Sequence, residues 1–260
     1  MNFDDLDARL RAYENSHDQV VPSEVYVVAR LDGRGFTRLT KELLRLEVPF
    51  DQRFQEAMAG VVEHLMGVGI KALYGYAQSD EISLLFDPAE RAFGGKLRKY
   101  LSILAGESSG HLSLALGRVA AFDARLSLLP SAELVVDYFR WRQEDCRRNA
   151  LSAYGYWEQR KRGVSGTEAA GRLEGLTIPD KIALVAGFGI DFQALPAWQR
   201  LGVGVFWEPY KKEGQDPRTG KTVMASRRRL RREMSLPSGE EYGRFVRRLL
   251  GSGEIGSVTG

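Results

Sequence analysis

The chain holds a single cysteine, Cys146, and three histidines, His17, His64 and His111, that stand far apart. One cysteine excludes an internal disulfide and a cysteine-rich zinc site, and it fits a reducing compartment. Histidines without helical spacing give no support to a histidine metal site or a Ser-His-Asp triad, and are expected to be structural or surface residues. No run approaches the roughly 18 apolar residues that a membrane span needs. Met1-Asn2-Phe3-Asp4-Asp5 is acidic where a signal peptide would be basic and then apolar, so a cytoplasmic protein with no membrane partner is expected. Nucleotide-fold fingerprints are missing too. Gly94-Gly95-Lys96 lacks the spacing and hydroxyl of a Walker A loop, and neither Gly187-Phe188-Gly189 nor Gly202-Val203-Gly204 completes a dinucleotide motif. Net charge is small: 37 Lys+Arg against 34 Asp+Glu leave +3. A polyanion would therefore have to be met by a local patch. Apolar residues, at 43% of the 260, are ample for a core, and there are no internal repeats.

The order of elements is informative. Phe3, Leu6, Leu10 and Tyr13 recur at helical spacing and predict an amphipathic helix that packs on the sheet or on a partner chain. Val25 to Leu31 reads as a strand. Phe54, Met58, Val61 and Leu65 mark a helix face with Asp51 as N-cap. Ile70 to Ala77 and Ile82 to Phe86 form a hairpin around Ser79-Asp80, a helix is expected over about Lys96 to Ala105, and Val119 to Leu126 is a fourth strand. The resulting βαββαβ order predicts an α+β fold: a ferredoxin-like antiparallel sheet with helices, as in polymerase and cyclase palms. The palm-type catalytic domain is placed at 1–130. The remainder, 131–260, is expected to be a helical segment and a basic β-hairpin packed with the palm.

Within this order, Asp32 emerges at the end of the first strand, beside Gly33 and Gly35, and Asp80 with Glu81 sits at the hairpin turn. Asp-Gly and Ser-Asp are ordinary turn dipeptides, and either segment alone reads as a turn. Their conjunction, with Arg34 between the glycines, points to paired carboxylates that hold Mg²⁺ through hard oxygen ligands while loop amides meet phosphates.

The second half turns helical from Ser131 to about Arg162. Its Arg142, Arg147, Arg148, Arg160, Lys161 and Arg162 fit a solvated face or an RNA-facing one equally. Gly163 to Gly175 is expected to be a mobile loop and Ile178 to Ala186 a helix. Gly202 to Trp207 resembles a strand that leads through Tyr210-Lys211-Lys212 and a turn at Asp216 to Gly220 to a returning strand near Thr222 to Ser226. Arg227, Arg228, Arg229, Arg231 and Arg232 then crowd together, a natural phosphate-binding surface. A closing helix after Ser238 carries Phe245 and Leu249 on one face.

Arg30 to Thr37, Gln78 to Ser83, Phe122-Asp123-Ala124-Arg125 and Asp137 to Cys146 resemble, in that order, the tRNA-histidine guanylyltransferase family. The tail from Trp198 to Leu230 is similar to its bacterial and archaeal guanylyltransferase-like branch. The resemblance implies a tetrameric palm enzyme that adds nucleotides to the 5′ end of tRNA in the 3′-to-5′ direction. It implies two Mg²⁺ on Asp32, the Gly33 carbonyl and Asp80, with Asp32, Asp80 and Glu81 as the catalytic acids. It places nucleotide on Gly33, Arg34, Gly35, Phe36, Thr37 and Ser79, with Lys96, or else Arg91 or Lys99, as a cation for the triphosphate, and makes ATP or GTP the activating nucleotide. RNA contacts are expected at Arg147, Arg148, Asn149, Lys211, Lys212, Arg227, Arg228 and Arg229.

Departures from the family's pattern sharpen the expectation. Where eukaryotic members carry a His-x-Asn-Asn-Leu-Tyr-Asn run tied to tRNA-histidine use, this chain has Arg147-Arg148-Asn149-Ala150-Leu151-Ser152-Ala153. A pair of arginines before Lys96 is replaced by Ala92-Phe93, and Val48 stands where a lysine is common. Template-directed 5′ repair is expected, with dedicated tRNA-histidine guanylylation as the alternative. A nucleotide cyclase and a noncatalytic RNA-binding protein are rival classes. The basic tail argues against the first, and the paired acids have no purpose in the second.

Overall fold

The computed structural model describes residues 2–215, 218 and 222–254. The elements run α1 (Phe3–Glu14), β1 (Tyr26–Gly33), a π-helical turn (Arg38–Leu43), α2 (Gln52–Leu65), β2 (Ala72–Gln78), β3 (Glu81–Phe86), α3 (Leu97–Leu116), β4 (Phe122–Leu129) and α4 (Ala132–Lys161). The short helices α5 (Gly166–Gly171), α6 (Ile178–Gly187) and α7 (Ala197–Leu201) follow, then β5 (Val203–Gln215), β6 (Thr222–Glu233) and α8 (Gly239–Glu254). The first four strands and two helices keep the expected βαββαβ order. All six strands join one antiparallel sheet in the order β4-β1-β3-β2-β5-β6.

Alternation along β1 sorts the core into two layers. Val27, Ala29 and Leu31 face α2 and α3, where they pack with Met58, Val62, Leu65 and Leu104. Val28 faces the other side, where Val135, Phe139, Tyr242 and Val246 of α4 and α8 cover it. Arg30 and Asp32 share that second face, so α4 is brought across the carboxylates. Register defines the two ends of the sheet. Asp32 opposes Glu81 and Asp123, and Ala77 opposes Val203, at one end. Tyr26 opposes Leu129 and Tyr74 opposes Phe206 towards the other.

Several expectations change. The face of α1 formed by Phe3, Leu6, Leu10 and Tyr13 is exposed and does not pack on the sheet. The third helix runs on to Leu116 because Leu104, Ser108 and Leu112 are buried one turn apart, and this packing outweighs the roughly 1 kcal/mol that each of Gly106 and Gly110 costs a helix. The 163–175 stretch is not an open loop: Ser165 caps α5, Ala169 is buried, and Gln159 donates to the Ala169 carbonyl. The two tail strands are longer than predicted, and the arginine run lies inside β6 rather than after it. Apart from Arg218, the turn expected at 216–220 lies outside the described residues. His64 and His111 meet across α2 and α3, their rings stacked 4.6 Å apart, and His64 is 2.7 Å from Glu107. Residues far apart in sequence gave no hint of this pairing.

Candidate active site

β1 ends at Gly33, where a Cβ would stand 2.7 Å from the Phe36 ring, so only glycine allows the chain to turn over that ring. Gly35 continues the turn at φ 71°. Phe36 is buried against Phe54 and Phe122 and anchors the turn. On the neighbouring hairpin, Gln78 opposes Glu81, leaving Ser79 and Asp80 as a two-residue loop in which Ser79 holds φ 48°. The Gly33 N–H donates to the Asp80 carbonyl at 3.0 Å and ties the two acidic loops together.

Asp32, Phe36, Thr37, Ser79, Asp80, Glu81 and Asn149 line one cavity of about 420 Å³. Its far wall comes from Lys41, Phe50, Trp157 and Trp198. Lys41 lies 5.7 Å from the Trp157 ring, and burial pulls its ammonium pKa down against the opposing pull of Asp51. Burial, helped by the charges of Asp32 and Glu81, pushes the Asp80 carboxyl upward, although hydrogen bonds from its own backbone N–H and from Ser79 oppose the shift. Cys146 also lines the cavity, but burial drives its thiol to about 12, which removes it as a nucleophile.

Two expected roles change. The cradle begins later than at Gly33: that amide is taken by the Asp80 carbonyl, and the Arg34 amide by Ala121 at 2.8 Å. The amides of Gly35, Phe36 and Thr37 open a helical turn and have no carbonyl within it to meet, so they are the groups suited to an anion. Glu81 is not a free acid. Arg142 grips it bidentately at 2.7 and 2.9 Å, Gln78 donates to it at 3.2 Å, and Arg30 approaches to 3.8 Å. Arg142 itself is 4% exposed and reaches Asp145 at 2.7 Å, which also accepts from Asn149. Neither a solvated nor an RNA-facing residue, Arg142 clamps α4 to the catalytic hairpin. Helical spacing held the clue, since Val135, Phe139, Arg142, Cys146 and Ala150 form one stripe.

Lys96 is not brought to this cavity. It lies at the other end of the sheet, beside Val20, paired with Asp18 at 2.9 Å, and Arg91 there is bound to the Ser23, Pro88 and Glu90 carbonyls. Arg125, to which sequence reasoning assigned no role, stands 3.9 Å from Asp32 and 3.1 Å from Asp123. Arg34 is exposed at the first turn.

The tail arginines divide by strand face. Arg229 and Arg231 both pair with Glu208 at 2.8 Å, and Arg232 grips Glu63 at 2.8 and 2.9 Å. Lys211, Lys212, Arg227 and Arg228 are exposed on the ribbon that projects beyond β2. Arg147 pairs with Glu144 at 2.9 Å, and Arg148 is exposed.

Among the described residues, no three His, Cys, Asp or Glu side chains converge to hold a metal unaided. Asp32, Asp80 and the Gly33 carbonyl are an all-oxygen set beside a cavity. That suits Mg²⁺, which retains waters and binds through one or two carboxylates plus substrate phosphates. The residues present therefore fit such an ion.

Comparison with known proteins gives a consistent result. Residues 7–130 match the family model described as tRNAHis guanylyltransferase, and residues 133–238 match the one described as Thg1 C terminal domain. A probable tRNA(His) guanylyltransferase of Drosophila melanogaster is 31% identical over 195 residues, covering 71% of this chain and 68% of that protein. A bacterial tRNA(His) guanylyltransferase (Thg1)-like protein in complex with GTP superposes with a TM-score of 0.69 at 25% identity, covering 95% of this chain and 99% of that one. A structure of such a bacterial protein with ATP has the same TM-score at 24% identity, covering 94% and 99%.

Proposed function

Because the chain belongs to the tRNAHis guanylyltransferase family, and is thus a nucleotidyltransferase that adds nucleotides to the 5′ end of tRNA in the 3′-to-5′ direction, we propose that it performs template-dependent 5′ repair. The observation that carries the nucleotidyl-transfer chemistry in this reading is the joining of Asp32 and Asp80 by the Gly33–Asp80 hydrogen bond at the mouth of a nucleotide-sized cavity. The β1–β4 sheet with its helices is then a palm, and 1–130 the catalytic unit.

Two Mg²⁺ held by Asp32, Asp80 and the Gly33 carbonyl would acidify the attacking hydroxyl and neutralise the departing pyrophosphate. The amides of Gly35, Phe36 and Thr37, with Arg34 and Ser79, bind the triphosphate of ATP or GTP. Phe50, Trp157 and Trp198 exclude water and seat the base. Glu81 is a positioning residue, held by Arg142. In the elongation step, the 3′-hydroxyl of an incoming nucleotide attacks the activated 5′ phosphate of the RNA. That P–O bond forms as the leaving group departs: pyrophosphate from a 5′-triphosphate end, or AMP or GMP from a 5′-monophosphate end that ATP or GTP has first capped with release of pyrophosphate.

The arginines at 147 and 148 in place of the family's histidine favour repair over dedicated tRNA-histidine guanylylation. Supplied with labelled nucleotides and Mg²⁺, the protein is expected to restore tRNAs that lack their first nucleotide faster than it adds untemplated guanosine to intact tRNA-histidine. The opposite preference would leave the chemistry standing and overturn the repair assignment.

The basic ribbon leaves the sheet at the end away from Asp32, so it would meet the RNA at a distance from the 5′ end. Replacing Lys211, Lys212, Arg227 and Arg228 with alanine should weaken tRNA binding and reduce the salt slope by about one for each phosphate left without its cation. Arg229→Ala should do less, because Glu208 already occupies that guanidinium. Filter binding across a salt series reads both, and an unchanged slope in the quadruple variant would make the ribbon a solvated surface. Assembly as a tetramer in the cytoplasm completes the proposal. Exposure of Phe3, Leu6, Leu10 and Tyr13 on α1 supports association between copies.

A further inference from the structure

We propose that Trp141 is a stacking platform for an unpaired nucleobase at the acceptor end of the RNA, on the open side of Asp32; this rests on the reading of Asp32 and Asp80 as the nucleotide-addition site. The four tryptophans of the chain have different surroundings. Trp157 and Trp198 line the cavity, and Trp207 is packed with its indole N–H on the Ala72 carbonyl. Trp141 does not line the cavity and is 57% exposed. A tryptophan on a helix surface offers a broad, rigid apolar face with a polar handle, the kind of side chain on which another ring can stack.

Its position is set by α4. Arg140 and Gln143 face α8, through Glu240 and the Pro237 carbonyl, and Tyr138 and Arg142 face the sheet. At about 100° per residue, Trp141 falls on the remaining flank, away from α8 and above β4. Among the described residues β4 is an edge strand that pairs with β1 alone, and no further strand closes this side. Asp123, Arg125 and Asp32 lie there on adjoining strands, with Arg125 reaching both acids. Asp32 thus stands between a cavity that fits one nucleotide and a shelf open to a longer ligand.

The ring is held for contact. One face of the indole rests on the Arg142 guanidinium, 4.4 Å from the ring centroid, and Tyr138 meets it edge-on at 5.8 Å. Arg142 cannot swing away, because Glu81 and Asp145 hold it. The other indole face is presented to solvent, which is the arrangement in which a base stacks with little loss of side-chain freedom. Arg125 stands on β4 beside Asp32 and Asp123, and within one turn of Trp141 along α4 lie Asp137, Glu144 and Asp145, the last two already paired with Arg147 and Arg142. A phosphate beside a stacked base would meet Arg125 on this side of Asp32. A protein partner on Trp141 and the half-exposed Leu134 is the competing occupant, and it has no use for Arg125 held 3.9 Å from the reacting carboxylate.

The test uses the full-length protein and an acceptor-stem RNA hairpin that lacks its 5′-terminal nucleotide. The hairpin carries 2-aminopurine at the first unpaired base of its 3′ overhang. Wild type and Trp141→Phe should quench the probe on binding. Trp141→Ala should lose the quench and bind the hairpin roughly 10- to 100-fold more weakly, in line with about 1–3 kcal/mol per stacked base. Its affinity for ATP and GTP should remain at the wild-type level. Equal affinity and equal quenching in Trp141→Ala would overturn the proposal. So would a loss of RNA binding that merely tracks a fall in mass by light scattering, since that marks an interface between copies. Quenching and tight binding by a wild-type protein that extends no RNA would uphold the platform and sink the nucleotide-addition reading instead.

Discussion

Asp80→Asn is expected to abolish nucleotide addition while leaving the fold as stable as wild type, or more so. Loss of a charged oxygen ligand removes several kcal/mol of transition-state stabilisation, about a thousandfold in rate or more. The stability side follows from the upward shift of the Asp80 carboxyl, caused first by burial. A carboxyl whose folded pKa lies above its unfolded value binds its proton more tightly when folded. Its contribution to stability is therefore lost as pH rises from the ordinary carboxylate range through the raised value. At neutral pH the ionised group opposes folding, and asparagine relieves that opposition. Thermal unfolding between pH 4 and 8 checks it: the wild-type melting temperature should decline relative to that of Asp80→Asn as pH rises. Added Mg²⁺ should raise the wild-type value and have little effect on the variant. Retained activity in Asp80→Asn would remove the two-carboxylate assignment.

Arg142→Met is expected to be the most destabilising single change near the site, because it strips Asp145 of its counter-charge and leaves Glu81 with Arg30 at 3.8 Å in place of a bidentate partner. Glu81 has 12% of its side chain exposed. Breaking a buried pair by removing one partner costs about 3–5 kcal/mol, whereas replacing both partners is far milder. The double variant Glu81→Gln with Arg142→Met should therefore regain much of the stability lost by Arg142→Met alone, which denaturant unfolding of the four proteins would show. Activity should not return with it. Both variants release the catalytic hairpin from α4, so kcat should fall with little change in KM for nucleotide. If Arg142→Met unfolds at the wild-type denaturant concentration, the clamp has no energetic role.

How far the sequence carried can be seen residue by residue. The elements around Asp32 and Asp80 were legible because their strands are short apolar runs closed by glycine or Ser-Asp turns, local signals that need no tertiary knowledge. Their joining through the Gly33 amide was not, because the same hydrogen bond that unites the loops also removes that amide from the phosphate cradle. Arg142 and Glu81 were misread for a related reason: an ion pair 61 residues apart in sequence leaves no periodic trace, and a basic residue in a charged helix reads as solvated until its apolar neighbours at helical spacing are counted. Lys96 is placed at the triphosphate by the family resemblance alone, as a substitute for a missing arginine pair, yet β3 carries the chain to the far end of the sheet before α3 begins. The arginine run looked uniform in sequence. Strand alternation sends Arg229 and Arg231 to Glu208 and Arg232 to the other face and Glu63, while Arg227 and Arg228, on opposite faces, are both exposed because the ribbon there has passed the end of β2.

The central claim, that this site grows an RNA at its 5′ end by reading the opposite strand, is tested most directly by one incorporation measurement. A tRNA lacking its first nucleotide and bearing a 5′-triphosphate is presented with all four labelled nucleotides and Mg²⁺, and the base opposite the gap is changed from C to A. Template reading predicts that the nucleotide joined to the 5′ end switches from G to U, with one pyrophosphate released per addition. Guanosine added opposite both bases, or no 5′ growth on either RNA, would contradict it.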